Sequence, residues 1–223
     1  VGSEMCIRDR QLTGEQDFMG LTFSVNEHVL IPRQDTEILV EEVLKELHDG
    51  MRVLDMCTGS GCILLSLLHY SNDCEGLGVD LSAEALEVAG RNVLKVLTPE
   101  KAEHAHFLQS DLFEKVEGKF EIIVSNPPYI ASAEVEKLMP EVRDHEPRMA
   151  LDGTEDGLYF YRRIIEEAGK HLVSSGMLFF EIGYDQGQAV SELMRTEGYC
   201  EVQVVQDYAG LDRVVLGTYC ERN

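Results

Sequence analysis

The stretch FEIIVSNPPY, residues 120–129, decides the fold and directs the search for a functional site. Its first half is an apolar, β-branched run that follows Gly118, and its second half contains two consecutive prolines. An apolar run bounded by glycine and proline predicts a buried strand that ends abruptly. Because binding and catalytic residues concentrate on turns held by a rigid scaffold, we expect the site at this strand end.

The turn Asn126-Pro127-Pro128-Tyr129 offers rigid hydrogen-bond acceptors. Two prolines remove two backbone donors and fix two φ angles, so the Pro127 carbonyl and the Asn126 side chain are held out as acceptors. Two acceptors suit an amide or ring NH2 group, and they stabilise the positive charge that develops on its nitrogen during attack. Tyr129 is predicted to stack against the planar group. The alternative is an ordinary turn, since Asn and Pro are common turn formers.

Strands and helices alternate on both sides of this stretch. Short apolar runs predict six further strands, at 51–56, 76–80, 106–109, 176–183, 202–205 and 213–217. Helical spacing of apolar residues predicts helices at 36–47, 63–68, 83–94, 158–173 and 186–197. Only the last two strands follow one another directly. The pattern predicts a three-layer α/β domain with a mostly parallel sheet and one antiparallel strand near its edge.

Two segments fall outside this alternation. Apolar residues alternate within 17–31, which predicts a short hairpin with Asn26-Glu27 near its turn. Residues 130–157 form a long polar connection with two prolines and many acids. Connections of this length in a compact domain are typical of lids or binding segments.

A glycine-rich turn, Cys57-Thr58-Gly59-Ser60-Gly61, follows the strand at 51–56. Strand, glycine-rich turn and helix open a nucleotide-type binding fold. The turn lacks the third glycine of the dinucleotide fingerprint and no Gly-Lys-Ser/Thr follows, which disfavours a pyrophosphate cofactor or a nucleoside triphosphate. Asp80 ends the next strand, roughly 20 residues on, where a carboxylate accepts hydrogen bonds from ribose hydroxyls. A turn with no ligand is the alternative.

Asp111 and Leu112 come directly after the predicted strand at 106–109. Asp111 is a candidate acceptor for an adenine amine, and Leu112 is a candidate cover for the face of the ring. The equally weighted alternative is that Asp111 caps a turn.

Composition excludes several classes of function. The formal charge is −22, with 41 acidic residues against 19 basic ones, which disfavours direct nucleic-acid binding. No apolar run approaches the roughly 18 residues that span a bilayer. Six cysteines without a C-x-x-C pair suggest neither a zinc knuckle nor a disulfide framework, so we expect a reducing cytoplasm. His104 and His106 have no Cys or carboxylate at ligand spacing, and no metal is expected.

Four ordered motifs together identify a family. They are LIPRQDTE at 30–37, DMCTGSG at 55–61, SNPPYI at 125–130 and DYAGLDR at 207–213. In this combination the chain resembles the release factor glutamine methyltransferases from about Gly14 to Tyr219.

The resemblance implies a Rossmann-like S-adenosylmethionine-dependent methyltransferase fold, with a mostly parallel seven-stranded sheet, one antiparallel strand and a short β-hairpin before it. It implies N5-methylation of the glutamine in the Gly-Gly-Gln loop of a peptide chain release factor, which would be the partner. Implied cofactor-binding residues are Cys57, Thr58, Gly59, Ser60, Gly61, Asp80, Asp111, Leu112 and Asn126. Implied substrate-binding residues are Asn126, Pro127, Pro128, Tyr129 and Leu30, of which Asn126, Pro127 and Tyr129 are implied to be catalytic.

The chain departs from the family pattern in two respects. Cys57 stands where the family often has glycine, so the turn must accommodate a side chain. The family also usually carries a helical N-terminal domain, whereas only about a dozen residues precede the hairpin here, so we expect a fragment or a truncated relative. We expect a disordered or non-native leader at 1–13, a hairpin linker at 14–35 and the catalytic domain at 36–223.

Two other functions compete with this interpretation. An exocyclic-amine methyltransferase acting on nucleic acid would use a similar Asn-Pro-Pro-Tyr turn, although it would also need phosphate contacts. A catalytically silent cofactor-binding scaffold would keep the glycine-rich turn and Asp80 without turnover.

Overall fold

Alternating strands and helices form a three-layer α/β domain in the computed structural model, which describes residues 13–220. The strands are β1 Glu15–Phe18, β2 Leu21–Ser24, β3 Arg52–Met56, β4 Glu75–Asp80, β5 Ala105–Gln109, β6 Phe120–Ser125, β7 Leu172–Glu181, β8 Tyr199–Gln206 and β9 Asp212–Tyr219. The helices are α1 Asp35–Glu46, α2 Cys62–Tyr70, α3 Ala83–Val96, α4 Pro99–Ala102, α5 Ser132–Val135, α6 Pro140–Arg143, α7 Arg148–Leu151, α8 Tyr159–Ala168 and α9 Gly187–Thr196.

Seven strands form one sheet in the order β5-β4-β3-β6-β7-β9-β8. Neighbours from β5 to β7 pair in parallel, and β9 runs antiparallel to both β7 and β8. The predicted α/β fold with one antiparallel strand is confirmed. β3 and β6 occupy the middle of the sheet and are almost wholly buried, which explains their near-continuous apolar sequences.

The N-terminal hairpin has a different turn from the predicted one. β1 and β2 pair antiparallel and are joined at Met19 and Gly20, which both adopt positive φ. A two-residue hairpin turn requires such angles. The predicted turn at Asn26-Glu27 is wrong as a hairpin turn, because Asn26 Oδ1 instead accepts the His28 N–H at 3.0 Å in a local turn after β2.

The helix predicted at 158–173 is too long. α8 ends at Ala168, and the chain turns so that Leu172 begins β7 and pairs with Phe120 of β6. An apolar residue at this position fits the helical period and the strand equally well. The prediction was therefore wrong for the last turn.

The long connection 130–157 folds into three one-turn helices, α5 to α7. Its ends meet where the Ile130 N–H donates to Leu151 O at 3.0 Å and the Gly153 N–H donates to Ile130 O at 2.8 Å. The connection is thus closed on itself at the end of β6.

Cys200 and Cys220 are joined by a disulfide, with their Cα atoms 6.0 Å apart. The expectation of no disulfide is wrong for this pair, while Cys57, Cys62 and Cys74 are free. Except for Thr13, the expected leader lies outside the described residues. Among the helices of residues 13–220, none is long and apolar enough to cross a membrane.

Asn92 of α3 hydrogen-bonds to the N-terminal hairpin and to the turn after β3. It is fully buried; its Oδ1 accepts the Ser24 N–H at 2.7 Å, and its Nδ2 donates to the carbonyls of Ser24 and Ser60 at 3.0 and 2.9 Å. One amide therefore connects β2, α3 and the turn after β3.

We expect Asn92→Ala to lower the free energy of unfolding by about 2–4 kcal/mol, because it leaves a buried N–H and two carbonyls without their partner. Urea denaturation measures the change. Asn72→Ala is the matched control, since exposed Asn72 makes only a 3.5 Å contact to Asp49, and it should change the stability by less than about 0.5 kcal/mol. Equal losses in both variants would contradict the role assigned to Asn92.

Candidate active site

A cavity of about 540 Å³ opens at the carboxyl ends of β3, β4, β5 and β6. Ligands of open α/β sheets bind at this edge. The turns after these four strands form its floor, and residues 28–36 and 147–154 form its other walls. Of the predicted site residues, the lining includes Leu30, Cys57, Thr58, Gly59, Ser60, Asp80, Asp111, Leu112, Asn126 and Pro128. Gly61, Pro127 and Tyr129 do not line this cavity.

The glycine-rich turn is held in shape by Asp55. Its Oδ2 accepts the Thr58 hydroxyl at 2.6 Å and the Leu64 N–H at 3.3 Å. Gly59 and Gly61 adopt positive φ angles of 55° and 78°, which glycine reaches without steric cost. Cys57 has a positive φ of 63°, so this position does hold a side chain in the left-handed region.

Asp55 itself is a residue that sequence reasoning left without a role. It is wholly buried, and burial raises its pKa to about 7 against the hydrogen bonds from Thr58 and Leu64. Its Oδ1 has no hydrogen-bond partner within residues 13–220. A buried carboxylate oxygen without a partner is costly and marks a candidate functional group.

Asp80 connects the end of β4 to the glycine-rich turn. Its Oδ2 accepts the Gly59 N–H at 2.9 Å and its Oδ1 accepts the Ser82 N–H at 3.0 Å. Burial raises the Asp80 pKa, and these backbone N–H groups oppose the shift. The carboxylate is thereby fixed on the wall of the cavity with lone pairs left for a ligand.

Asp111 and Leu112 form the wall after β5. Leu112 is buried with a positive φ of 46°, and its side chain lines the cavity. Asp111 Oδ1 accepts from Arg163 Nη1 at 2.9 Å, so an ion pair rather than a turn cap fixes its direction.

The Asn-Pro-Pro-Tyr turn begins beside the glycine-rich turn. Ser125 pairs with Met56 across the sheet, and its Oγ donates to the Met56 carbonyl at 2.6 Å. Asn126 follows at the cavity wall, where its Nδ2 donates to Thr36 Oγ1 at 3.5 Å. This contact leaves the Asn126 Oδ1 as an open acceptor.

Tyr129 contacts the end of β7 and the residue before α9 and does not line the cavity. Its hydroxyl lies 3.5 Å from Glu181 Oε1, and its carbonyl accepts from Gln186 Nε2 at 3.0 Å. Burial raises the Tyr129 pKa well above its ordinary value, and the neighbouring Glu181 adds to the shift. The phenol is therefore neutral, and its predicted stacking on a substrate stays a prediction.

Glu181 and Thr36 are further residues that sequence reasoning missed. Both are buried, at 2% exposure each, and both contact the Asn-Pro-Pro-Tyr turn. Burial raises the Glu181 pKa to about 7. The available signal was the position of Glu181, which ends the apolar run of β7 as Asp80 ends that of β4.

An ion pair connects the long connection to the segment before α1. Arg33 Nη2 lies 2.6 Å from Glu146 Oε2, and the Glu146 side chain is fully buried. Burial raises the Glu146 pKa, while the Arg33 charge lowers it. The pair is 113 residues apart in sequence and fixes the connection as a wall of the cavity.

The described residues contain no group of three or more His, Cys, Asp or Glu side chains arranged to hold a metal ion.

Several known proteins are similar to this chain in sequence. The model of the family described as "Methyltransferase small domain" matches residues 33–142. A release factor glutamine methyltransferase of Clostridium acetobutylicum is 46% identical over 211 residues, covering 93% of this chain and 73% of that protein. One from Thermodesulfovibrio yellowstonii is 43% identical, covering 92% of this chain and 74% of that protein.

Solved structures show the same architecture. A methyltransferase from Pyrococcus furiosus superposes with a TM-score of 0.66 at 17% identity, covering 99% of this chain and all of that chain, which shows the fold alone. A release factor-specific protein-(glutamine-N5) methyltransferase from Alicyclobacillus acidocaldarius superposes with a TM-score of 0.50 at 30% identity, covering 86% of this chain and 95% of that chain. By the extent and identity of these matches, the chain belongs to the release factor glutamine methyltransferase family.

Proposed function

We propose that this chain transfers a methyl group from S-adenosylmethionine to the side-chain amide nitrogen of the glutamine in the Gly-Gly-Gln loop of a peptide chain release factor. The observation that carries the proposal is that the Asn126 carboxamide and the glycine-rich turn line one cavity. The names of its relatives support the substrate class.

The residues around the glycine-rich turn fit S-adenosylmethionine. Asp80 has lone pairs for ribose hydroxyls, and Leu112 offers an apolar surface for adenine beside the Asp111 carboxylate. The surroundings are also negative: burial and the charges of Asp80, Asp55 and Asp111 all raise the Cys57 pKa. Negative surroundings stabilise a cation such as a sulfonium. When bound, S-adenosylmethionine supplies an activated methyl group on that sulfonium.

The chain's own part in the reaction is to hold and polarise a carboxamide. Asn126 Oδ1 accepts one N–H of the substrate amide. The other N–H is assigned to the carbonyl of Pro127, which does not itself line the cavity but lies in the chain between the lining residues Asn126 and Pro128. With both hydrogens held, the nitrogen lone pair points away from the turn, and the two acceptors stabilise the positive charge that grows on nitrogen. Leu30 and Pro128 provide an apolar wall, and Tyr129 completes the orientation from the Glu181 side.

No strong general base is needed for this reaction. The nitrogen carries an extra proton after transfer and is then strongly acidic, so water or a nearby acceptor takes it. Catalysis therefore depends on position and on charge stabilisation, both of which Asn126 supplies.

A side-by-side assay tests the function. Purified release factor and nucleic acid are each incubated with the chain and S-adenosylmethionine, and mass spectrometry locates the added methyl. We expect one methyl on the glutamine of the Gly-Gly-Gln loop and none on nucleic acid. Methylated bases with unmodified release factor would replace the proposal by an amine methyltransferase acting on nucleic acid. Cofactor binding without methylation of any substrate would indicate a silent scaffold.

We expect Asn126→Ala to lower kcat about 100- to 1,000-fold, as loss of one donor or acceptor that meets transition-state charge does in other enzymes. Affinity for S-adenosylhomocysteine should change by less than about threefold, because Asn126 is only one of nine implied cofactor-binding residues and the other eight stay in place. Exposed Asn72→Ala is the control and should leave both values unchanged. Losses of equal size in kcat and in cofactor affinity would remove Asn126 from its assigned role.

Asp80→Asn should weaken cofactor binding strongly and turnover only slightly, which is the reverse of Asn126→Ala. We expect the dissociation constant of S-adenosylhomocysteine, measured by calorimetry, to rise about 10- to 100-fold, because hydrogen bonds to a charged carboxylate are lost. Turnover at saturating cofactor should fall far less. Exposed Asp73→Asn serves as the matched control. Unchanged affinity in Asp80→Asn would contradict the ribose contact.

A further inference from the structure

A row of buried polar groups leads from Asn126 away from the cavity. Asn126 Nδ2 donates to Thr36 Oγ1 at 3.5 Å, and the nearby Thr36 hydroxyl lowers the Glu181 pKa, which favours the charged form of that carboxyl. The Tyr129 hydroxyl donates to Glu181 Oε1 at 3.5 Å. Three residues from α1, β7 and the turn after β6 thus stand behind the Asn126 side chain.

Burial of the Glu181 side chain at this position lowers the stability of the fold. It is 2% exposed, and its Oε2 has no hydrogen-bond partner in the described chain. Desolvation is the main reason that its pKa rises to about 7, against the hydrogen bond from Thr36 and the charge of Arg213. A buried acid with an unpaired oxygen lowers stability, so its presence beside the turn points to a functional role.

The charge of Glu181 decides the direction of every hydrogen bond in the row. A carboxylate only accepts, so a charged Glu181 favours the orientation in which the Thr36 hydroxyl hydrogen turns toward it and the Thr36 lone pairs face Asn126. Only the NH2 end of Asn126 can donate to those lone pairs, which turns its Oδ1 to the cavity. A neutral Glu181 can donate to Thr36 instead, and the Thr36 hydrogen then favours the opposite amide orientation.

We propose that Glu181 and Thr36 are positioning residues, which act through this row to hold Asn126 with its Oδ1 toward the substrate amide. The inference rests on the proposed function, because only a substrate that donates an N–H needs that orientation. Neither residue has to touch the substrate amide for this role.

Other ionisable groups also face Glu181: Arg213 from β9, Asp35 from α1, Cys62 from α2, Tyr129 after β6 and Tyr161 from α8. Burial raises the Cys62 pKa to about 12 and lifts those of both tyrosines above their ordinary value, so these three stay neutral. Arg213 is held by Asp207 at 3.1 Å and stays positive. Within the row, Glu181 is therefore the group expected to change charge near pH 7.

Nuclear magnetic resonance tests the row without any turnover. The Asn126 side-chain amide signals, assigned with an Asn126→Asp variant, should shift with a midpoint near the Glu181 pKa of about 7. The shift should persist in Thr36→Ser and vanish in Thr36→Val and Glu181→Gln. Asp55 also has a pKa of about 7, so a shift that survives in Glu181→Gln would come from Asp55 and would overturn the proposal. Absence of any shift in the wild type would overturn it as well.

Steady-state kinetics test whether Thr36 and Glu181 affect turnover. We expect Thr36→Val to lower kcat about 10- to 100-fold with little change in cofactor affinity, and Thr36→Ser to restore most of the activity. Wild-type kcat should fall as pH drops below about 7, since the carboxylate is then lost, and Glu181→Gln should lose this dependence.

Thermal unfolding at pH 8 separates positioning from a structural role. Glu181→Gln should unfold at the same or a higher temperature than the wild type, because a charged buried group is removed. A drop in both unfolding temperature and activity would mean a structural role only. An inactive wild type with the predicted amide titration would contradict the proposed function and leave the positioning row standing.

Discussion

The hydrogen bond from Ser125 Oγ to the Met56 carbonyl, 2.6 Å long and fully buried, joins the two turns on which the site depends. It lies at the last paired position of β3 and β6, so one strand enters the glycine-rich turn where the other enters Asn-Pro-Pro-Tyr. The two turns have to lie side by side, because neighbouring parallel strands end at the same edge of the sheet. In the proposed function, the first turn holds the methyl donor and the second holds the glutamine amide, so this pairing brings the two together.

The same region concentrates acids that the fold alone does not need. Asp55 and Glu181 are fully buried with pKa values raised to about 7, and each has one oxygen without a partner in the described chain. Burial of such groups reduces stability, which is tolerated where function requires it. In the proposed function, their negative charge suits a cationic methyl donor, and the Glu181 charge is proposed to orient the Thr36 hydroxyl and the Asn126 amide.

Much of the fold followed from the sequence because strand ends, glycines and prolines are local signals. The seven strands of the large sheet and the turns at Cys57 and Asn126 were predictable from apolar runs and from the glycines and prolines beside them. The hairpin turn could not be predicted from the sequence. Asn26 is a typical turn residue and forms a local turn of its own, whereas methionine rarely adopts the positive φ found at Met19. The Arg33–Glu146 pair and the Thr36–Glu181 contact join residues more than 100 positions apart, and no local pattern encodes such pairings.

The central claim is that one cavity holds the methyl donor and the glutamine amide against the same pair of turns. A crystal structure of the chain with S-adenosylhomocysteine and a Gly-Gly-Gln peptide tests this directly. We expect the glutamine amide nitrogen at about 2.7–3.2 Å from Asn126 Oδ1, with the cofactor sulfur facing that nitrogen across the cavity. A glutamine bound away from Asn126, or a cofactor whose sulfur faces away from the turn, would contradict it.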